Sequence, residues 1–265
     1  MPPKVNKPLR LAWYGIPKIG KSHLAAQFVK EFDGLYIDFA KVNQISPMSK
    51  GGPSPVYDVA GNGPINSGDA YTAAAEHVGV KPQQYMFIRS WDEFMMAIEV
   101  AKSYRDESTK KNKRIWIVID DTTNFRWQCA LWCLEQTGHK SLATSDWAMC
   151  TMALSSAFQT LESNFNTIYV NQVKELYVND QATGEYVGAF YPANMEHIVD
   201  ATLEYTYGED ENGEYPMLKI KSLKNKWRFE RKATEQIPKS IEFKNPETLS
   251  PSMILEALKF DKELW

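Results

Sequence analysis

The segment Gly15-Ile16-Pro17-Lys18-Ile19-Gly20-Lys21-Ser22 fits the pattern G-x-x-x-x-G-K-[ST] at every fixed position, the spacing of a phosphate-binding loop. Gly15 and Gly20 let the backbone turn tightly, so that successive N–H groups converge on one phosphate. Lys21 reaches the terminal phosphates as a point charge. Ser22 offers a hydroxyl to Mg2+, an ion that prefers oxygen ligands and keeps several waters. A helix starting here adds the positive end of its dipole. The expected nucleotide contacts are these eight residues and the adjoining His23.

Other residues could complete such a site. Asp120 follows the apolar run Ile115-Trp116-Ile117-Val118-Ile119, and an acid there can hold magnesium directly or through water. Hydrolysis also needs a group that orients or deprotonates water, and Asp121 and Asp38 are the two candidates. Gln172, at the end of another apolar run, either senses a γ-phosphate through its amide or, with Asn171, simply closes a strand. The one dense basic segment contains Lys219, Lys221, Lys224, Lys226, Arg228, Arg231 and Lys232. It reads as a solvated face, as a source of cations for a phosphate, or as a contact for DNA backbone.

The elements that must position these groups can be read along the chain. Residues 1–8 form a loose arm. Residues 9–14 make a short buried strand before the loop, and the apolar spacing of Leu24, Ala25, Phe28, Val29 and Phe32 predicts a helix over 22–32. A second strand covers 34–39. Residues 41–84, rich in Gly, Pro, Ser and Asn, form a long excursion with one short helix near 70–78. Then come a strand at 85–88, a helix over 91–104, a basic turn at 109–114 and the buried strand ending in Asp120. Residues 124–147 read as a variable stretch with several aromatics, followed by a helix over 147–164 and a strand over 167–170. Turn signals at Asn179-Asp180 and Thr183-Gly184 predict a loop or hairpin over 173–199. Strands at 201–207 and 216–223 flank an acidic turn, and a short helix lies in 250–265. Alternating strands and helices predict an α/β fold with a mostly parallel sheet covered on both faces. Gly15, Asp38, Asp120 and Gln172 then fall at strand carboxyl ends, where such sheets place ligands.

The 265 residues suit one large domain, and the net charge of −3 announces no global basic field. The three cysteines, Cys129, Cys133 and Cys150, include no CxxC pair, and His139 lacks the spacing of a zinc finger. They read as buried thiols in a reducing compartment. No signal-peptide pattern is seen and no apolar run approaches a membrane span, so the expectation is a cytoplasmic protein without a membrane partner.

Five features in order give a family resemblance: the loop from Gly15 to Ser22, Leu35-Tyr36-Ile37-Asp38, the strand ending in Asp120, Ile168-Tyr169-Val170-Asn171-Gln172-Val173, and Lys224-Asn225-Lys226. The chain resembles the RecA/RadA recombinases, and most closely the compact phage-encoded RecA-like ATPases of single-strand annealing, over about 9–232. The resemblance implies a RecA-like P-loop core over 9–249, with antiparallel strands toward the carboxy terminus and a helical tail over 250–265. It implies ATP and Mg2+ as cofactors, Lys21, Asp120, Asp121, Gln172, Lys224 and Lys226 as catalytic residues, and Ser22 and Asp120 as metal ligands. Gln172 would couple ATP to a DNA-binding loop at about 173–197, and Lys224 and Lys226 would reach the ATP of an adjacent subunit in a ring or filament. The segment at about 124–146 would be the other DNA-facing loop, with Phe125, Trp127 and Trp132 free to stack on bases unless they are core. Tyr177, Tyr186, Phe190 and Tyr191 pose the same choice in the second loop. The family's water-activating glutamate is replaced by Ala40, so the acid role has moved or turnover is slow.

The function expected is therefore an ATP-hydrolysing, oligomeric protein acting on single-stranded DNA in recombination, annealing or repair. A single-strand-binding protein is a further expected partner, and the location is the host cytoplasm if the chain is phage-encoded. The alternatives are a nucleotide-regulated assembly module with weak turnover, a DNA-packaging or helicase motor, and a kinase. The kinase reading lacks an Arg-rich lid, since the seven arginines are scattered.

Overall fold

The structure, a computed structural model, describes residues 8–39, 68–109, 115–178, 181–189, 198–223, 237–243 and 250–260. Ten strands form two sheets: β1 (Arg10–Tyr14), β2 (Gly34–Phe39), β3 (Tyr85–Ile88), β4 (Trp116–Asp120), β5 (Asn166–Asn171), β6 (Val173–Val178), β7 (Gln181–Gly188), β8 (Ala201–Asp210), β9 (Gly213–Leu223) and β10 (Ser240–Glu242). The main sheet has the order β10-β9-β8-β1-β5-β4-β2-β3. Its members from β8 to β3 run parallel, while β9 and β10 are antiparallel additions. β5 thus separates β1, which carries the loop, from β4, which carries the acid. This is the expected mostly parallel sheet with antiparallel strands toward the carboxy terminus.

Helices cover both faces, as buried parallel strands require. On one face lie α1 (Lys21–Phe32), α2 (Gly68–Val78) and α6 (Pro251–Ala257). Phe28 of α1 sits between Trp13 and Trp116, with ring centroids 5.7 and 4.9 Å away. Ile254 and Leu255 of α6 join the same core. On the other face lie α3 (Trp91–Thr109), α4 (Thr122–Thr137) and α5 (Thr144–Asn164). Their core is centred on Phe125, whose ring lies 4.8–5.5 Å from those of Phe94, Phe39, Phe158 and Trp91.

Several sequence expectations are corrected. Residues 124–147 are not a variable loop: all but the connection 138–143 lie in α4 and α5. Phe125, Cys129 and Cys133 recur every four residues, which gives α4 one buried stripe against the sheet. Asp121 caps its start by accepting from the Asn124 N–H at 2.8 Å. Gly138 closes it in the left-handed region, donating its N–H to the Leu134 carbonyl. The helix expected over 91–104 continues through Thr109, into the first residue of the supposed turn; residues 110–114 lie outside the described residues. The two antiparallel strands are also longer than read, reaching Asp210 and starting at Gly213. Within the segment read as a loop or hairpin, β6 and β7 pair antiparallel as a separate two-stranded sheet, and Thr183-Gly184, read as a turn, lies inside β7.

Candidate nucleotide site

The loop begins where β1 ends. Gly15 is required by close approach: a Cβ there would lie 2.4 Å from the Tyr205 carbonyl oxygen of β8. Gly20 caps α1 at φ 101°, a conformation that suits glycine. Ile16, Pro17 and Lys18 are exposed, and Ile19 is buried and anchors the loop. His23 is exposed on the first turn of α1, and its ring lies beside Gly79 at the end of α2.

Lys21 folds back over its own loop. Its ammonium donates to the carbonyls of Gly15 at 2.7 Å and Ile16 at 2.8 Å. Burial lowers its pKa, while attraction from Asp120 and then Asp121 opposes that shift. Lys21 is therefore a cation held beside two acids and ready to neutralise further negative charge.

Asp120 ends β4 and accepts a hydrogen bond from the phenol of Tyr36, and the Ser22 hydroxyl lies close enough to act on its charge. Burial raises its pKa above the ordinary carboxylate value. Ser22 and Tyr36 oppose this rise, the neighbouring Asp121 adds to it, and Lys21 opposes it. Ser22 and Asp120 thus form an all-oxygen pair beside the loop, the donor chemistry that magnesium favours. Asp38 pairs in register with Asp120 across β2 and β4 and accepts from the Tyr85 phenol at 2.6 Å. The rings of Tyr36 and Tyr85 are stacked and fully buried, with centroids 6.1 Å apart. Two adjacent acids are therefore each oriented by a buried phenol. The sequence reading gave these tyrosines no role in the site; their signal was position, Tyr36 two residues before Asp38 and Tyr85 opening the next strand.

The two residues at the end of β5 have different surroundings. Asn171 is fully buried. It accepts from the Thr122 hydroxyl at 2.5 Å and donates to the carbonyls of Tyr169 at 2.9 Å and Trp13 at 3.3 Å. It closes the strand by tying β5 to β1 and α4. Gln172 is exposed, and its amide donates to Asp121 at 2.5 Å. Asp121 also accepts from both nitrogens of Asn124, at 2.8 and 3.2 Å. Its carboxylate is thus committed to capping α4 and to Gln172.

The loop, Lys21, Ser22, Asp120, Asp121, Asp38 and Gln172 therefore come together at the carboxyl ends of four neighbouring strands. Phe125 is removed to the core, and Trp132 packs against that core. Trp127 is 41% exposed, on a helix and not on the DNA-facing loop expected there. In the hairpin, Tyr186 is 54% exposed. Ala40, Lys224, Lys226, Phe190 and Tyr191 lie outside the described residues, as does the side chain of Tyr177. Among the described residues, no helix is long and apolar enough to cross a membrane.

A protein-family profile described as an AAA domain matches residues 7–234. Among solved structures, the chain is similar to a KaiC-like protein from the hyperthermophilic archaeon Pyrococcus horikoshii OT3, with 11% identity over 83% of this chain and 81% of that one, and a TM-score of 0.40. It is also similar to an ATPase from the type III secretion system of pathogenic bacteria, with 12% identity over 76% of this chain and 52% of that one, and a TM-score of 0.45. No curated protein matches the chain.

Proposed function

Since the chain belongs to the AAA-domain family and is a P-loop ATPase of RecA-like fold, we propose that it acts on single-stranded DNA in recombination, annealing or repair, as a homo-oligomeric ring or filament. In this reading ATP and Mg2+ are its cofactors, it works in the cytoplasm, the host's if phage-encoded, and a single-strand-binding protein is a natural partner. Bound magnesium supplies neutralisation of phosphate charge; Ser22 and Asp120 are the residues that hold it. The N–H groups from Gly15 to Ser22 seat the phosphates, with His23 flanking them. Lys21 exchanges the carbonyls of Gly15 and Ile16 for phosphate oxygens. Asp121 is occupied by Asn124 and Gln172. In this reading Asp38, in register with Asp120 and oriented by Tyr85, is the acid that orients the attacking water in place of the family glutamate. Lys224 and Lys226 complete the site of a neighbouring subunit.

One observation carries the DNA reading. Gln172 is joined to the nucleotide acids by its side chain and to the hairpin by its backbone: its amide reaches Asp121 at 2.5 Å, and its carbonyl accepts the Ala189 N–H at 2.8 Å. A change of charge at the acids thus has a short route to β6–β7. The described residues of that hairpin carry one lysine, Lys174, and two glutamates, Glu175 and Glu185. DNA contact there rests on stacking by exposed aromatics such as Tyr186 more than on phosphate neutralisation.

The test is ATP hydrolysis with and without single-stranded DNA, for wild type and for Lys224→Ala mixed with Lys21→Ala. DNA-stimulated turnover, with partial rescue in the mixture, is expected. Turnover indifferent to DNA, together with no DNA retained with ATP analogues, removes the DNA role. Absence of rescue at every ratio removes the trans-acting lysines.

A further inference from the structure

The seam between α4 and α5 holds a second cluster of reactive groups, on the far side of the sheet from α1. Cys129 and Cys133 are four residues apart on α4, so both thiols lie on one helical face. Cys150 meets them from α5, and the Cys129 thiol donates to the Cys150 carbonyl at 3.5 Å. All three side chains are fully buried and unbridged. Their three sulfurs lie within 4.8 Å of one another.

We propose that Cys129, Cys133 and Cys150 form a binding site for a thiophilic d10 cation, with Zn(II) as its ordinary occupant. Three arguments support it. The first is distance: sulfurs bound at ~2.3 Å in a tetrahedral shell stand about 3.8 Å apart, so an inward shift of about 1 Å from the observed spacing closes the set. The second is ligand softness: thiolates select zinc and copper over the hard ions that suit Ser22 and Asp120. The two sites therefore take different metals. The third is charge. Three thiolates around a divalent ion leave one net negative charge, and the Arg126 guanidinium acts on Cys150 from the same seam, stacked on Trp147 at 4.6 Å.

A tetrahedral zinc needs a fourth donor. Asp146 is buried one helical turn before Cys150, and its charge acts on Cys133. Its carboxylate now accepts from the Ala143 N–H at 2.8 Å and contacts the His139 ring at 2.8 Å. It stands outside the sulfur set, so it would complete the shell only by leaving these partners and turning toward the sulfurs. The result is one pair of ligands from each helix, Cys129/Cys133 and Asp146/Cys150, both spaced i,i+4. This is a helix-hairpin site that finger-type spacing in the sequence does not reveal. The ion would clamp α4, the helix that Asp121 caps, to α5.

The experiment is metal titration of the reduced full-length chain. Zn(II) is added in competition with a chromophoric chelator, and Co(II) is used as a spectroscopic probe. One Zn(II) per chain is expected, with thiolate-to-cobalt charge-transfer bands in the wild type and a higher unfolding temperature in the presence of zinc. Cys129→Ala, Cys133→Ala and Cys150→Ala should each weaken zinc binding at least 100-fold. Asp146→Asn should weaken it about 10-fold to 100-fold. Lys21→Ala should leave it unchanged, which separates this site from the nucleotide site. Wild-type protein that shows no thiolate–cobalt bands overturns the proposal without any variant having to fold. So does zinc stoichiometry that survives removal of all three cysteines. Thiols that pair to a disulfide in air yet bind no ion also overturn it.

Discussion

The chain leaves β4 at Asp121 and turns at once into the buried helix α4, whereas it leaves β5 at Gln172 and turns into the hairpin β6–β7, a sheet of its own. Both segments adjoin the nucleotide acids, both carry aromatics, and both were expected to face DNA. They differ in period. After Asp121 the residues Phe125, Cys129 and Cys133 repeat at helical spacing and are fully buried. After Gln172 the strand β7 is exposed along most of its length, and a two-stranded ribbon has little core of its own. One segment therefore braces the site, and the other presents an exposed strand. The two strand-end amides match this division: Asn171 is locked inside, and Gln172 reaches out to a single acid.

The division can be broken by substitution. Phe125→Ala removes the centre of an aromatic cluster and should cost about 3–5 kcal/mol of stability, read by denaturant unfolding. A loss below about 1 kcal/mol would mean that α4 is not core-bound. Tyr186→Ala should leave stability within about 0.5 kcal/mol yet weaken single-stranded DNA binding by about 1–3 kcal/mol, read by fluorescence anisotropy. Unchanged affinity would take the hairpin out of the DNA interface. Trp127→Ala, on the exposed side of α4, should change DNA affinity by less than about 0.5 kcal/mol; a loss matching that of Tyr186 would erase the distinction between the segments.

A smaller effect belongs to the acid that precedes α4. The folded state raises the pKa of Asp120, so it binds that proton more tightly than the unfolded chain does. The stability associated with protonated Asp120 is complete below the unfolded value and declines as pH rises through the folded one. Asp120→Asn should therefore raise the unfolding temperature of nucleotide-free protein at neutral pH, give no gain in acid, and abolish turnover. An equal gain at every pH would contradict a titrating origin.

Much of this was legible in the residues. The loop could be read because its chemistry is made by backbone, and backbone needs glycines at fixed spacing: Gly15 for the approach of Tyr205, Gly20 for its positive φ. β4 and β5 could be read as unbroken apolar runs. The helix α4 was missed because Thr122, Thr123, Asn124 and Arg126 dilute its apolar stripe, and because the resemblance suggested a loop there. Tyr36 and Tyr85 were missed because their role depends on strand pairing, which places β3 beside β2 and Asp38 beside Asp120. The cysteine cluster was missed for a similar reason: Cys150 is 17 residues beyond Cys133 in sequence, and only the α4–α5 hairpin brings it back.

The most direct measurement is single-stranded DNA affinity with and without a non-hydrolysable ATP analogue, for wild type and Gln172→Ala. In the wild type the analogue should tighten DNA binding. In Gln172→Ala both ligands should still bind, with DNA affinity near that of nucleotide-free wild type whether or not the analogue is present. A variant that tightens on DNA as strongly as wild type would contradict the route from Asp121 through Gln172 to the hairpin.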